Sequence, residues 1–267
     1  MLPDCSRVAA IMREVAAAEL LPRFRQLAQK DVWVKERGGT VTVADMACER
    51  RLVGALKDLV PGSVALAEEE ADENPASFDR LHGEAPVWIV DPLDGTKNFA
   101  DGTDRFAMIV AFFHGGAVRA GWILAPISGR LVMAEEGAGA WTEEGPAHVG
   151  CAEPVDRMKG SLGSRLRRNK SLTGNFGKVS NLGCCGVEYI ALAEGELHFA
   201  HYRRLKPWDH AAGDLIVREA GGHAASLDSA APYRPAAPEY NGLLLACDRD
   251  SWEEVAALLR PAVAALG

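Results

Sequence analysis

Apolar residues return at helical spacing through Val8, Ile11, Met12, Val15, Leu20 and Phe24, which predicts an opening helix of about twenty residues with Pro22 near its end. A second amphipathic stretch predicts a helix over 44–59, capped by Thr42 or Asp45 and closed by Pro61-Gly62. The period then shortens. β-type runs at 63–67 and 87–90 precede longer ones at 105–113, 117–124 and 130–134, joined at His114-Gly115-Gly116 and at 126–129, as in an antiparallel meander. After about residue 150, strand-like pieces near 158–163, 178–180, 197–202 and 243–246 alternate with helical patterns near 187–193, 209–220 and 251–266. The alternation predicts an α/β C-terminal subdomain (146–267) on an α+β N-terminal one (1–145). With no linker between them they should form one unit sharing a core. The Ala/Pro-rich residues 230–238 read as a surface loop.

Composition narrows the function classes. Of 267 residues, 48% are hydrophobic and 25% charged, which excludes disordered and fibrous chains. The longest apolar stretches, such as 106–113, are too short to span a membrane, which takes about 20 residues, so a soluble, cytoplasmic protein is expected. Lys and Arg number 29 against 37 Asp and Glu, a net charge of −8 that argues against a nucleic-acid polymer or a membrane surface as the main partner. An anionic ligand would then need local arginines, or a metal cation held by clustered carboxylates. The cysteines Cys5, Cys48, Cys151, Cys184, Cys185 and Cys247 form no CxxC pair, and reduced, buried thiols are expected.

The richest stretch is Asp91-Pro92-Leu93-Asp94-Gly95-Thr96, where two carboxylates three apart leave an apolar strand at a turn. Crowded carboxylates repel each other and resist desolvation, so such a cluster points to a cation; by itself the stretch also suits an Asx-type turn with a helix cap. Glu68-Glu69-Glu70 follows the apolar run 64–67, and Trp208-Asp209 opens a helix ending at Gly221-Gly222. Taken singly, the triplet is a solvated charge run and Asp209 an N-cap. Together with Asp91 and Asp94 they place acids at the ends of successive elements, where α/β architectures gather ligands.

These residues resemble the inositol monophosphatase family of magnesium-dependent phosphatases over nearly the whole chain. The likeness rests on Trp88-Ile-Val-Asp-Pro-Leu-Asp-Gly-Thr-Lys-Asn-Phe99 and Trp208-Asp-His-Ala-Ala-Gly213 running to Glu219-Ala-Gly-Gly222, with Lys35, Thr40-Val-Thr-Val-Ala-Asp45 and Glu68-Glu69 in support. The resemblance implies a layered αβαβα sandwich of α/β (α+β) class, with an antiparallel N-terminal and a mixed C-terminal sheet. It implies two or three Mg²⁺ ions held by Glu68, Asp91, Asp94, Asp209 and the carbonyl of Leu93, all hard oxygen donors. Asp45, Glu68 and Thr96 would act on the attacking water, with Lys35 and Glu69 in support. The substrate, a small phosphate monoester, would meet Asp94, Gly95, Thr96, Cys185, Tyr202, Arg203 and Asp209, the N–H groups after Gly95 facing the phosphate. A homodimer and lithium sensitivity are implied as well. No GxSxG or HExxH competes with this reading.

The departures fall where the alcohol part of the substrate should lie. Tyr202 stands where inositol-specific relatives carry glutamate, His198 replaces an aspartate, Cys184-Cys185 a small Ser/Thr-Ala pair, and Thr40 an aspartate. Tyr202 beside Arg203-Arg204 suits a ring or a second anion, although two strand-end arginines can equally be solvated. Inositol 1-phosphate remains the leading expectation. A 3′-phosphoadenosine nucleotide, a sugar bisphosphate or histidinol phosphate are the alternatives, and a noncatalytic regulatory protein is the remote one. His210 points about 100° from Asp209 on a helix and reads as scaffold. His198 and His201 face opposite sides of a strand, and Cys184 and Cys185 read as small core residues.

Overall fold

The computed structural model describes residues 2–35, 38–150, 153–237 and 242–266; Cys151 and the last residue of the 230–238 loop lie outside them. Helix α1 (Cys5–Val15) is capped by Asp4 and passes into a π turn, Ala16–Leu20, which ends before Pro22, so the expected long helix is an α segment with a wider last turn. A short hairpin, β1 (Val32–Val34) and β2 (Thr40–Thr42), comes next and was too brief to show a period. Both expected caps act on α2 (Val43–Leu59): Thr42 Oγ1 accepts from Ala44 N–H at 3.0 Å, and Asp45 Oδ2 accepts from Thr42 N–H at 2.8 Å.

Next come β3 (Val64–Ala67), α3 (Glu68–Glu73), β4 (Val87–Asp94), α4 (Thr96–Ala100), β5 (Ala107–His114), β6 (Ala117–Leu124), β7 (Leu131–Glu135), β8 (Gly139–Thr142) and β9 (Gly145–Pro146). These strands form a seven-stranded sheet in chain order. It is antiparallel from β4 onward, whereas β3 runs parallel to β4 because α3 and the 3₁₀ turn Pro75–His82 cross between them. Strands β8 and β9, glycine-rich and short, were not foreseen.

The chain continues through β10 (Lys159–Leu162), α5 (Ser164–Arg167), α6 (Lys170–Thr173), β11 (Lys178–Ser180), α7 (Cys185–Ala193), β12 (Phe199–Tyr202), α8 (Pro207–Glu219), β13 (His223–Ser226), β14 (Leu243–Ala246) and α9 (Arg249–Ala264). The second sheet has the order β11-β10-β12-β14-β13. It is mixed, with β10 parallel to β11 and β12, and β14 antiparallel to β12 and β13. Strand β13 was missed because His-Ala-Ala-Ser carries no β-branched or aromatic residue. Helix α8 begins two residues before the expected start, with Pro207 in its first turn, so Asp209 is its third residue and not its cap.

Three apolar clusters define five layers. Helices α1 and α2 cover one face of the large sheet through Met12, Leu52, Trp88, Val110 and Phe112. Helices α7 and α8 lie between the sheets, where Ile109, Tyr189, Ile216, Leu243 and Leu245 meet. Helix α9 covers the far face of the small sheet with Phe199, Leu244, Trp252 and Leu259. Both faces of β5 and β14 are therefore buried, which explains their unbroken apolar runs. The central layer needs close approach: a Cβ on Gly213 of α8 would lie 2.3 Å from the Tyr189 ring of α7. Gly213→Ala should accordingly destabilise the protein by about 1–3 kcal/mol despite alanine's better helix propensity. Urea unfolding checks this, and an unchanged or raised midpoint would show that α7 and α8 have room to part.

Candidate active site

Strand β4 ends on a bulge between Asp91 and Asp94 that turns two carboxylates out of the ladder. Asp91 is buried and accepts from Leu93 N–H at 2.9 Å. Asp94 Oδ2 accepts from Gly186 N–H at 2.6 Å and from the Cys184 thiol at 2.9 Å, which ties β4 to the start of α7. Gly95 follows with φ +83°, and an added Cβ there would meet the Arg105 carbonyl at 2.9 Å and Cys184 Cβ at 3.0 Å, so only glycine makes this turn. The Gly95 N–H is turned to the Asp94 carboxylate. Asp209 enters from α8 between the sheets, and its carbonyl accepts from the Cys185 thiol at 3.3 Å.

A second strand of contacts runs from α2. Thr42 N–H and Oγ1 hold Asp45 Oδ2 at 2.8 and 2.6 Å, and Asp45 Oδ1 lies 2.9 Å from the Thr96 hydroxyl. That hydroxyl is also 2.9 Å from the Leu93 carbonyl but has one proton to give, and the charged acceptor Asp45 takes it. A lone pair of Thr96 is then left to receive a proton donor. Lys35 lies 3.1 Å from Glu68, 2.9 Å from Glu69 and 2.8 Å from Asp72. Burial alone would lower its ammonium pKa, but Glu68, Asp72 and Glu69 reverse this and hold it charged.

Burial pushes the Asp91 carboxyl well above its usual range, and Glu68, Asp94 and Asp209 push it further. Burial raises Asp209 as well, reinforced by Glu68 and Asp94 and eased by Lys206. The four acids thus share one field. Among the described residues, however, no three His, Cys, Asp or Glu side chains close on one point as a finished ligand cage. Glu68 is turned to Lys35, Asp94 to α7 and Asp91 to its own turn. The donor set still fits a small hard cation: every donor is oxygen, and a divalent ion of this kind needs only one or two carboxylates beside its waters.

Beside the acids opens a cavity of about 610 Å³ lined by Asp94, Cys184, Cys185, Tyr202, Arg203 and Asp209, among others. Five of the seven expected substrate contacts, Asp94, Cys185, Tyr202, Arg203 and Asp209, line it, whereas Gly95 and Thr96 do not. Two details differ from expectation. Cys184, not only Cys185, touches the acids, and Tyr202 donates to a carboxylate at 2.9 Å, that of Glu188. Glu188 also accepts from Ser161 Oγ at 2.6 Å and Leu182 N–H at 2.8 Å, so its oxygens are spoken for. The signal was visible as a lone acid in the apolar run Val187-Glu-Tyr-Ile-Ala-Leu-Ala193. Arg165 of α5 also lines the cavity and had no sequence signal.

His210 is scaffold. Its Nε2 donates to the Arg204 carbonyl at 2.8 Å, which leaves Nδ1 to accept from Tyr189 OH at 3.0 Å. Burial lowers its pKa to about 4. The unfolded imidazole binds a proton near pH 6.5 and the folded one only near 4, so stability falls as pH drops through that window, by up to about 3 kcal/mol. Buried Asp214, raised to about 6, works in the opposite direction and softens the loss. In guanidinium unfolding at pH 7 and pH 5, His210→Gln should be less stable than the parent at pH 7 yet lose less on acidification. Parallel pH slopes would refute the assignment.

Known proteins resemble this chain in sequence and in fold. The sequence pattern of the family described as "Inositol monophosphatase family" matches residues 4–263. A "Fructose-1,6-bisphosphatase/inositol-1-monophosphatase" of Thermotoga maritima is 32% identical over 190 residues, 68% of this chain and 69% of that one. A "Histidinol-phosphatase" of Mycobacterium tuberculosis is 33% identical over 218 residues, 76% of this chain and 81% of that one. Among solved structures, an IMPase of Thermotoga maritima superposes with a TM-score of 0.84 at 24% identity, covering 98% of each chain.

Proposed function

The chain belongs to the inositol monophosphatase family of phosphoric monoester hydrolases, and on that premise we propose that it is a Mg²⁺-dependent phosphomonoesterase of inositol-1-monophosphatase type, hydrolysing a small phosphorylated alcohol. The observation that carries the reading is the convergence of Asp91, Asp94, Asp209 and Glu68 on one field beside a cavity large enough for such a substrate. Glu68, Asp91, Asp94, Asp209 and the Leu93 carbonyl would hold the metal, two or three ions in all. When bound there, Mg²⁺ supplies Lewis-acid stabilisation of phosphoryl charge and a more acidic water.

The chain's own groups do the positioning. Thr42 fixes Asp45, Asp45 draws the Thr96 proton, and the remaining Thr96 lone pair accepts from the attacking water and aims it. Lys35 keeps Glu68 and Glu69 oriented from behind. Cys184 and Gly186 lock the Asp94 carboxylate in one rotamer. Gly95, with Cys185, Tyr202 and Arg203, shapes the wall against which the substrate rests.

Cytoplasmic work fits the thiols, since Cys5, Cys48, Cys184, Cys185 and Cys247 are all unpaired, and no helix among the described residues is long and apolar enough to cross a membrane. A homodimer and lithium sensitivity belong to the same reading, to be checked by light scattering and by inhibition assays. The deciding experiment is phosphate release from inositol 1-phosphate, with Mg²⁺ and with chelator, in the parent and in Asp94→Asn. Turnover should require Mg²⁺ and fall at least about a hundredfold in the variant while its circular dichroism is unchanged. Chelator-resistant turnover, or an active Asp94→Asn, would overturn the assignment.

A further inference from the structure

Helix α3 starts on Ala67, whose methyl group cannot cap it, so the N–H groups of its first turn need an acceptor from elsewhere. Glu49 of α2 supplies it. Its Oε2 accepts from Glu69 N–H at 2.8 Å and its Oε1 from Glu70 N–H at 3.0 Å. Glu69 and Glu70 are the second and third residues of α3, the two donors that a serine or aspartate at the cap position would ordinarily take. Glu68, Glu69 and Glu70 already crowd this turn, and a fourth carboxylate adds repulsion. The two N–H groups offset that repulsion because they meet both Glu49 oxygens at once.

On α2, Glu49 lies one turn after Asp45 with Cys48 beside it, so the three share a helix face. Each reaches a different part of the site. Asp45 holds the Thr96 hydroxyl, the Cys48 thiol donates to the Pro92 carbonyl at 3.4 Å within the Asp91–Asp94 turn, and Glu49 holds the turn that begins with Glu68. One face of one helix thereby fixes the end of β4 and the start of α3 relative to each other. Lys35, 3.1 Å from Glu68 and 2.9 Å from Glu69, then acts on side chains whose backbone is already set.

We infer that Glu49 is a positioning residue for cation binding: by clamping the first turn of α3 it fixes the backbone from which Glu68 projects, so that Glu68 is in place before a cation arrives. The inference rests on the metal-dependent phosphatase reading above. Glu49 touches neither cation nor substrate in this role. Its loss weakens cation binding, because Glu68 must then be ordered at the moment of binding, and leaves the chemical step of the loaded protein unchanged.

Two arms test it on the whole protein. In the first, which needs no turnover, Mn²⁺ serves as a hard-cation probe and its binding is followed by electron paramagnetic resonance in the parent, Glu49→Ala, Glu49→Gln and Asp248→Ala. The last variant removes an ordinary cap, the Asp248 carboxylate that accepts from Ser251 N–H at 2.7 Å at the start of the remote helix α9. Glu49→Ala should bind Mn²⁺ about tenfold or more weaker than the parent, and Glu49→Gln, which keeps one acceptor oxygen, should fall between them. Asp248→Ala should melt lower yet bind Mn²⁺ as the parent does. In the second arm, with inositol 1-phosphate, the Mg²⁺ concentration for half-maximal rate should rise by the same factor in Glu49→Ala while kcat at saturating Mg²⁺ stays within about twofold. Unchanged Mn²⁺ affinity in Glu49→Ala, or an equal weakening in Asp248→Ala, would overturn the inference and leave the phosphatase reading standing; should Glu49→Ala not fold, Glu49→Gln decides by the same comparison. If nothing is hydrolysed but the Mn²⁺ difference persists, the phosphatase reading fails while the role of Glu49 stands, and a parent that binds no Mn²⁺ overturns both.

Discussion

Asp91, Asp94, Asp209 and Glu68 repel one another in a place that water reaches poorly, and ions stripped of water cost several kcal/mol each unless something answers them. Much of the surrounding architecture supplies partial answers. Backbone N–H groups at Leu93 and Gly186, the Cys184 thiol, the Thr42 cap and the Lys35 ammonium each take one oxygen. Only Lys35 brings an opposite charge, so most of the negative charge stays. What remains is a standing attraction for a cation, produced by a fold that keeps acids close when apolar packing would rather separate them.

That closeness is a property of the layering. Asp91 and Asp94 end a strand of the large sheet, Glu68 begins the helix after its parallel neighbour, and Asp209 rides on a helix pressed between the two sheets. Gly213, one turn further along α8, admits the Tyr189 ring, and Tyr189 in turn steadies His210. The small residues of the Trp208–Gly213 signature therefore set the distance between layers, while Asp209 in the same turn spends that precision on the site.

The two halves of this arrangement were unequally legible in the sequence. Asp91, Asp94 and Asp209 announced themselves because acids at the ends of apolar elements break a strong local pattern. The same is true of the Thr42 and Asp45 caps, which are local chemistry. Which loops share a sheet edge is not local. That Arg165 stands near Arg203 follows only from the pairing of β10 with β12, and β13 escaped notice because its run is small and weakly β-forming. Cys184 is the buried core residue its sequence suggested, but its contact with Asp94, 90 positions away, cannot be read from spacing. Tyr202 looked like the loss of a carboxylate, whereas α7 brings Glu188 to its hydroxyl from another element.

This division assigns separate physical tasks to separate elements. The crowded acids come from the large sheet and from the middle helical layer, and any change there alters charge in a buried field. The loops after β10 and β12 carry Arg165, Arg203 and Arg204, which line the cavity and are exposed. Substitutions of those arginines therefore cost little stability, since surface charges contribute little to folding. Glu188 and His210 mark the boundary between the two regimes: buried and hydrogen-bonded, they hold the exposed loop after β12 against the packed helical layer, so altering either should disturb the fold and the cavity wall together.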